Sequence, residues 1–490
     1  MTPAQRTPLI IAILTLLRFV AGALLPLSGD ETYYWLWSKH LAWGYFDDPP
    51  AIAYAIRAGT AIFGDTPFGL RFVPLLLGVV ASWSVWRAGA ILLRDEAAGL
   101  RACLLFNATI MVAVEAFAAT PDAPMLAFSA LFLLFLAKVE QTGEGWWWLL
   151  VGVAGGLGLM TKNTMFFVGF GALVWLLVSP PMRRQLLSPW PYLGAALAVL
   201  IFLPNILWNA HHHWAMYGLQ VTRMSADRWG VRHLFEFVGS MFGMATPFIL
   251  VLGLMGLAVA TRVRREPRLV LLAALLWPSL LYFTWHSLQD RVQANWPSYT
   301  FPAIAILAAL AWQRMDWQGS LARLAAISRA AAVPLALALL ALVYLQAFFD
   351  VVPVGRADPM TRLMGDGIAD LAATVEQARL ANHAGAILTT DYPTSGWFSY
   401  YTPGRPPLIQ VGDDNRWLAA PVPPAALEEQ PLIYVSEVRL DQSALLARNF
   451  ASVTRLAYID RKRGGKPIAH YVLYRVQGLK TGVVGRQPQG

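Results

Sequence analysis

The sequence predicts a polytopic α-helical membrane protein of about eleven transmembrane helices, followed by a small C-terminal α/β domain outside the bilayer. Three observations predict this. Of 490 residues, 57% are apolar and only 14% are charged, where ordinary globular domains run near a quarter charged; the mean hydropathy is +0.49. Apolar runs of near-bilayer length recur throughout the first 349 residues. Beyond Asp350 they stop, and short β-type and helical patterns replace them.

The runs lie at 8–27, 68–86, 102–119, 123–137, 146–160, 164–179, 190–208, 237–260, 269–285, 299–312 and 330–349. A span needs about 20 residues, so the shorter runs must borrow flanking residues. Backbone polarity in lipid requires these segments to be helices. The N-terminus imitates a signal peptide, with Arg6, an apolar run and small residues at Ala21 and Ala23, but Arg18 interrupts the run and a retained first helix is the favoured reading. Twenty tryptophans suit a protein with two membrane interfaces to anchor.

The formal charge of +9 suggests nucleic acid only until its placement is read. With a cytoplasmic N-terminus, the inside loops collect Arg6, Arg87, Arg94, Arg101, Lys138, Arg183, Arg184, Arg262, Arg264, Arg265, Arg268, Arg314, Arg323 and Arg329, as the positive-inside rule requires. An odd number of spans then puts everything after Asp350 outside. The lone Cys103 lies in an apolar run, so no internal disulfide forms. No internal or inverted repeat is legible.

The expected domains are a transmembrane domain over 1–349, with a long first external loop at 28–67, an α/β domain over 350–478, and a disordered tail at 479–490. In the α/β domain, Ala386–Thr389, Leu432–Val435 and Tyr471–Tyr474 read as buried strands. Residues 361–381 and 441–449 have helical periodicity.

Chemistry points to the first external loop. It opens with Asp30-Glu31, continues through Tyr33-Tyr34-Trp35-Leu36-Trp37, and reaches Gly44-Tyr45-Phe46-Asp47-Asp48-Pro49-Pro50. Acids packed among aromatics at a membrane surface are costly unless they have partners or work. The plain alternative is that they cap interfacial helices. Asp122, after Thr120-Pro121, has the same two readings. Lys162 interrupts an apolar region as a phosphate contact or as a snorkelling side chain. In His211-His212-His213, consecutive imidazoles rarely point at one ion.

The first-loop motif resembles the signature of the GT-C glycosyltransferases, in the branch that holds the protein O-mannosyltransferases and the lipid A aminoarabinose transferase. The similarity continues, in order, at Thr120-Pro121-Asp122-Ala123-Pro124, Trp208-Asn209 with His213-Trp214, Arg291 with Asn295-Trp296-Pro297, and Phe398-Ser399-Tyr400-Tyr401-Thr402-Pro403-Gly404. It covers nearly the whole chain, and the first-loop motif is its most specific part.

The resemblance implies transfer of a sugar from a polyprenyl-phosphate carrier to a periplasmic acceptor, which is lipid A or another lipopolysaccharide sugar, another glycan, or a protein. It implies a bacterial inner membrane, a GT-C-like fold, and Asp30 as the catalytic carboxylate. A single displacement, in which the acceptor hydroxyl attacks as one base takes its proton, predicts inversion. Glu31 and Asp122 join Asp30 as expected catalytic residues. The expected donor contacts are Lys162, Arg291, Asn295, Trp296, Arg71, Tyr34 and Tyr45, because a leaving phosphate needs positive charge where its anion develops. A divalent cation is left open, with Asp30, Asp47, Asp122 and His213 as its oxygen and nitrogen ligands. One departure stands out: the aminoarabinose transferases carry lysine before the proline of the Tyr-Phe-acid turn, where this chain has Asp48. A different phosphate contact or a different sugar follows. The rival reading is a transporter or flippase for a lipid-linked sugar, which predicts ionisable residues at mid-membrane depth.

Overall fold

The computed structural model describes residues 3–224, 229–263, 265–352, 354–355, 358–480 and 485–488. The chain is a polytopic helical membrane protein with a C-terminal sheet domain, and it divides into two compact units. One comprises 1–23, 48–52 and 71–344; the other comprises 24–47, 53–70 and 345–490. Most of the first external loop therefore belongs to the same unit as the C-terminal residues.

In the membrane unit, six described helices are long and apolar enough to cross a bilayer, or eight spans if each of two bent pairs counts as one. The expected eleven is not reached by this measure, and the reasons are local. The run at 102–119 is interrupted: Glu96–Asn107 ends, and Ile110–Glu115 begins with the Thr109 hydroxyl accepting from the Val112 amide. The run at 237–260 is bent by 104° between Arg232–Ala245 and Pro247–Arg262. Thr246 sits at φ +62°, and a residue before proline is driven from the helical region. The runs at 146–160 and 299–312 form the 13-residue helices Trp147–Leu159 and Phe301–Gln313. The last run grows instead, to the 31-residue helix Gly319–Phe349.

The first helix, Pro3–Leu24, exposes Leu9, Ile13, Leu16, Val20 and Leu24. Their spacing of three and four places them on one face, the face such a helix turns to lipid. Its opposite side holds Arg18, which is 4% exposed. Arg18 donates to the Asn107 Oδ1 at 2.6 Å and to the Asn107 carbonyl at 2.9 Å. Helices elsewhere pack closely through small residues: a Cβ on Gly256 would run into the Leu307 carbonyl. Phe106, Leu126, Trp175, Leu271 and Ile306 lie in the resulting core.

The other unit is built on a five-stranded sheet of β1 (Ala386–Thr389), β2 (Leu408–Gln410), β3 (Leu432–Glu437), β4 (Phe450–Arg463) and β5 (Lys466–Leu479), in the order β2-β1-β3-β5-β4. β1 is parallel to β2 and β3, while β5 is antiparallel to β3 and β4. The β4–β5 hairpin turns on Gly464-Gly465, both at positive φ, as a two-residue turn with primed geometry requires. Helix Ile368–Ala381 covers one side through Ile368, Leu371 and Val375 against Ile433, Val435 and Leu473. The expected continuous helix at 361–381 is broken between Leu363 and Ile368, where Gly367 takes φ +71°. Part of the expected disordered tail is described, and there Arg486 bridges Gln410; residues 481–484 and 489–490 lie outside the described residues.

Within this unit the first-loop helix Gly29–Lys39 lies against helix Tyr392–Tyr401. Small residues permit the approach: a Cβ on Gly29 would come within 2.8 Å of Pro393, and one on Gly396 within 2.6 Å of the Thr32 hydroxyl. The Tyr401 hydroxyl accepts from the Leu27 amide at 2.8 Å, and the Trp397 indole donates to the Leu27 carbonyl at 3.2 Å. Asp65 receives Lys39, the Trp35 indole and Arg405.

Candidate active site

The carboxylates of the sequence motif fall into two clusters, one in each unit. In the extramembrane unit, Ser28 caps helix Gly29–Lys39. Its hydroxyl accepts from the Glu31 amide at 3.2 Å while the Glu31 carboxylate accepts from the Ser28 amide at 2.9 Å. Reciprocal bonds of this kind form a capping box. Glu31 is 1% exposed, so this acid is engaged in starting the helix. Asp30, one residue earlier, points the other way: it is exposed to a cavity of about 770 Å³. The Tyr392 hydroxyl donates to Asp30 Oδ1 at 3.0 Å.

Aromatic and charged residues brace this pair. The Tyr33 ring lies 4.8 Å from that of Tyr392, and the Arg416 guanidinium sits 4.6 Å over the Tyr392 ring. Tyr33 donates to Asp47 Oδ2 at 2.8 Å, and Arg416 pairs with the same oxygen and with Asp413. Tyr45 stacks on Trp37 at 4.0 Å, and its hydroxyl donates to the Trp37 or His40 carbonyl. Tyr34 packs edge-on against Trp37. Enclosure by protein atoms raises the Asp30 pKa above the ordinary carboxylate value. Tyr392 and Arg416 act against that rise, while the negative charges of Glu31 and Asp47 add to it.

In the membrane unit, Asp122 begins helix Asp122–Thr142 and is 1% exposed. Its oxygens accept from Lys162 Nζ, both at 2.8 Å, and from Asn295 Nδ2 and the Ser298 hydroxyl at 2.7 Å each. A buried charge needs such saturation. Lys162 sits at the break between helices Trp147–Leu159 and Met165–Val178, with Asp48 and Glu115 among its charge neighbours. The geometry makes Asp122 the hub that fixes Lys162 and Asn295.

The other expected contacts have partners of their own. Arg71 is fully buried, donates to the Gly22 carbonyl at 3.1 Å and lies over the Phe117 ring. Arg291 is 67% exposed and faces Glu236 at 3.8 Å. The Trp296 ring is 5.7 Å from that of His286. His213 is exposed, and no group of three or more His, Cys, Asp or Glu side chains that could hold a metal occurs among the described residues. Tyr392, Arg416 and Ser298 are the site residues that sequence reasoning missed.

Residues 47–208 match the family described as dolichyl-phosphate-mannose-protein mannosyltransferase. The chain is 27% identical over 292 residues to the lipid A galacturonosyltransferase RgtD of Rhizobium johnstonii, covering 57% of this chain and 59% of that one. It is 26% identical over 394 residues to the undecaprenyl phosphate-alpha-4-amino-4-deoxy-L-arabinose arabinosyl transferase of Pseudomonas aeruginosa, covering 71% and 67%. The chain thus spans less than two thirds of the galacturonosyltransferase. Its fold is similar to that of ArnT from Cupriavidus metallidurans, with a TM-score of 0.65, 18% identity, and coverage of 97% of this chain and 98% of that one. In motif order, in its helical membrane unit with a C-terminal sheet, and in these matches, the chain is similar to glycosyltransferases that use lipid-phosphate-linked sugars.

Proposed function

We propose that the chain transfers a sugar from a polyprenyl-phosphate carrier to a hydroxyl of a periplasmic acceptor, inverting the anomeric centre, with Asp30 as general base. The acceptor is lipid A or another part of lipopolysaccharide, another glycan, or a protein. The observation that carries the reading is the Asp30 carboxylate itself. It is open to a cavity, oriented by the Tyr392 hydroxyl at 3.0 Å, and raised in pKa by its surroundings. A base poised nearer to neutrality is better matched to taking a hydroxyl proton.

In this reaction the acceptor oxygen bonds to the anomeric carbon as its proton passes to Asp30. The bond from that carbon to the phosphate oxygen breaks, and its electron pair leaves with the polyprenyl phosphate. A leaving phosphate needs positive charge where its anion develops; within the membrane unit, Asp122 fixes Lys162 as a cation and Asn295 as an amide donor. Two relatives carry matching names: the Pseudomonas aeruginosa protein is an undecaprenyl phosphate-sugar transferase, and ArnT has been solved bound to undecaprenyl phosphate. The setting is a bacterial inner membrane, with the N-terminus cytoplasmic and the C-terminal domain periplasmic.

The test uses full-length protein in lipid nanodiscs, wild type beside Asp30→Asn. It supplies a panel of radiolabelled polyprenyl-phosphate sugars with membrane extract as the acceptor source. Turnover by wild type and its loss in folded Asp30→Asn is the expected result. Equal turnover by the variant would refute the assignment of the base. Labelled lipid crossing the bilayer with no donor consumed would replace transfer with the flippase reading.

A further inference from the structure

The cavity beside Asp30 has a composition that the reaction of Asp30 alone does not account for. Its volume of about 770 Å³ falls in the range of sites that enclose a small polar ligand. The lining comes from the start of helix Gly29–Lys39, helix Pro359–Leu363, the start of helix Tyr392–Tyr401, the 437–440 turn, and strands β4 and β5 at Arg461 and 468–471. Three of these bring arginines, of which Arg461 is buried and donates to the backbone carbonyls of Thr361, Met364 and Asp366. Arg362 is exposed, and its side chain makes no hydrogen bond or ion pair among the described residues. Arg439 donates through Nε to Glu437 at 2.7 Å and is 72% exposed, which leaves its terminal nitrogens available. Acids line the same space: besides Asp30 and Glu437, Asp391 caps its helix with one oxygen, while its Oδ2 is buried with no hydrogen-bond partner among the described residues.

Guanidinium groups set in a cavity suit carboxylates and phosphates, which they bind through paired donors. Carboxylates suit hydroxyls, to which they offer only acceptors. A ligand that satisfies both has several hydroxyls and one anionic group. We propose that this cavity is an acceptor subsite for a glycan bearing a phosphate or carboxylate, with the anion on Arg362 and Arg439 and the attacked hydroxyl facing Asp30. The proposal rests on the reading of Asp30 as general base, whose cavity this is.

The test measures equilibrium binding to full-length protein in nanodiscs by calorimetry, with glucose 6-phosphate, glucuronate, glucose and inorganic phosphate as probes. The proteins are wild type, Arg362→Gln, and Val438→Trp, which fills the cavity from an exposed position. The two anionic sugars should bind wild type at least tenfold more tightly than either glucose or phosphate alone. Both substitutions should weaken that binding by at least tenfold. Binding that ignores the sugar's charge, no saturable binding at millimolar concentration, or unchanged affinity in both variants overturns the proposal. Consumption of labelled polyprenyl-phosphate sugar by wild type in the same preparations separates the two readings. Donor consumption with indifferent probe binding sinks the subsite and leaves the transfer reaction standing. Charge-dependent binding lost in Arg362→Gln, with no donor consumed, upholds the anionic-sugar site and sinks the transfer reaction.

Discussion

Replacing Tyr392 by Phe removes one oxygen and leaves the ring that packs on Tyr33 and under Arg416. What is lost is the hydroxyl that donates to Asp30 Oδ1 at 3.0 Å. That bond favours the charged carboxylate, so without it the Asp30 pKa must rise further from its already raised value. Hydrogen bonds to charged groups contribute about 1.5–3 kcal/mol. Because Asp30 is exposed to the cavity, half the lower figure is the appropriate size, about 0.7 kcal/mol, which corresponds to about half a pH unit. A general base works only when deprotonated, so kcat/KM falls as pH drops through this pKa, and that acid limb should move upward by about half a unit in Tyr392→Phe. The assay is donor turnover by nanodisc-embedded protein from pH 4 to 9, fitted for the acid limb. A limb that stays where it was, or moves downward, would refute the argument that Tyr392 tunes the base. A uniform fall in rate with no displacement would assign Tyr392 to packing alone.

Other expectations can be checked on purified protein. Lys162→Met should lower stability by about 3–5 kcal/mol by leaving the buried Asp122 charge without its cation. Asp122→Asn with Lys162→Met should recover much of that loss in thermal unfolding, while turnover stays absent. Gly256→Leu should abolish folded expression, since no rotamer removes a Cβ from the Leu307 carbonyl; size-exclusion chromatography in detergent reports it. Gly465→Val, at φ +78°, should cost about 1 kcal/mol or more through backbone strain in the hairpin turn. That loss should appear as a lower Tm without a change in KM.

The membrane architecture was legible because bilayer length and apolarity leave a signal that needs no tertiary knowledge. The breaks were legible only in part. Thr246-Pro247 carries a recognisable stop, whereas the interruption after Asn107 depends on a threonine capping a six-residue helix. Glu31 was grouped with the catalytic acids, yet Ser28 three residues before it already spelled a capping box. Strand β4 escaped notice because most of its residues are exposed and several are charged, including Arg455, Asp460 and Lys462, so no alternation marks it. Its Gly464-Gly465 turn was the available clue. Tyr392 and Arg416 were out of reach, since they meet Asp30 and Asp47 across 362 and 369 residues of sequence. Nothing in either local segment names the other.

The seating of helix Gly29–Lys39 on helix Tyr392–Tyr401 governs how this chain can be recombined with its relatives. A chimera joined at residue 350 would match a foreign Tyr392–Tyr401 surface with the native first-loop helix. The small residues at 29 and 396, the Leu27 bonds and the Asp30–Tyr392 pair would all have to be complementary by chance. The heritable module is therefore discontinuous. Residues 24–47 and 53–70 must travel with 345–490 if this compact unit and the cavity beside Asp30 are to be transplanted intact.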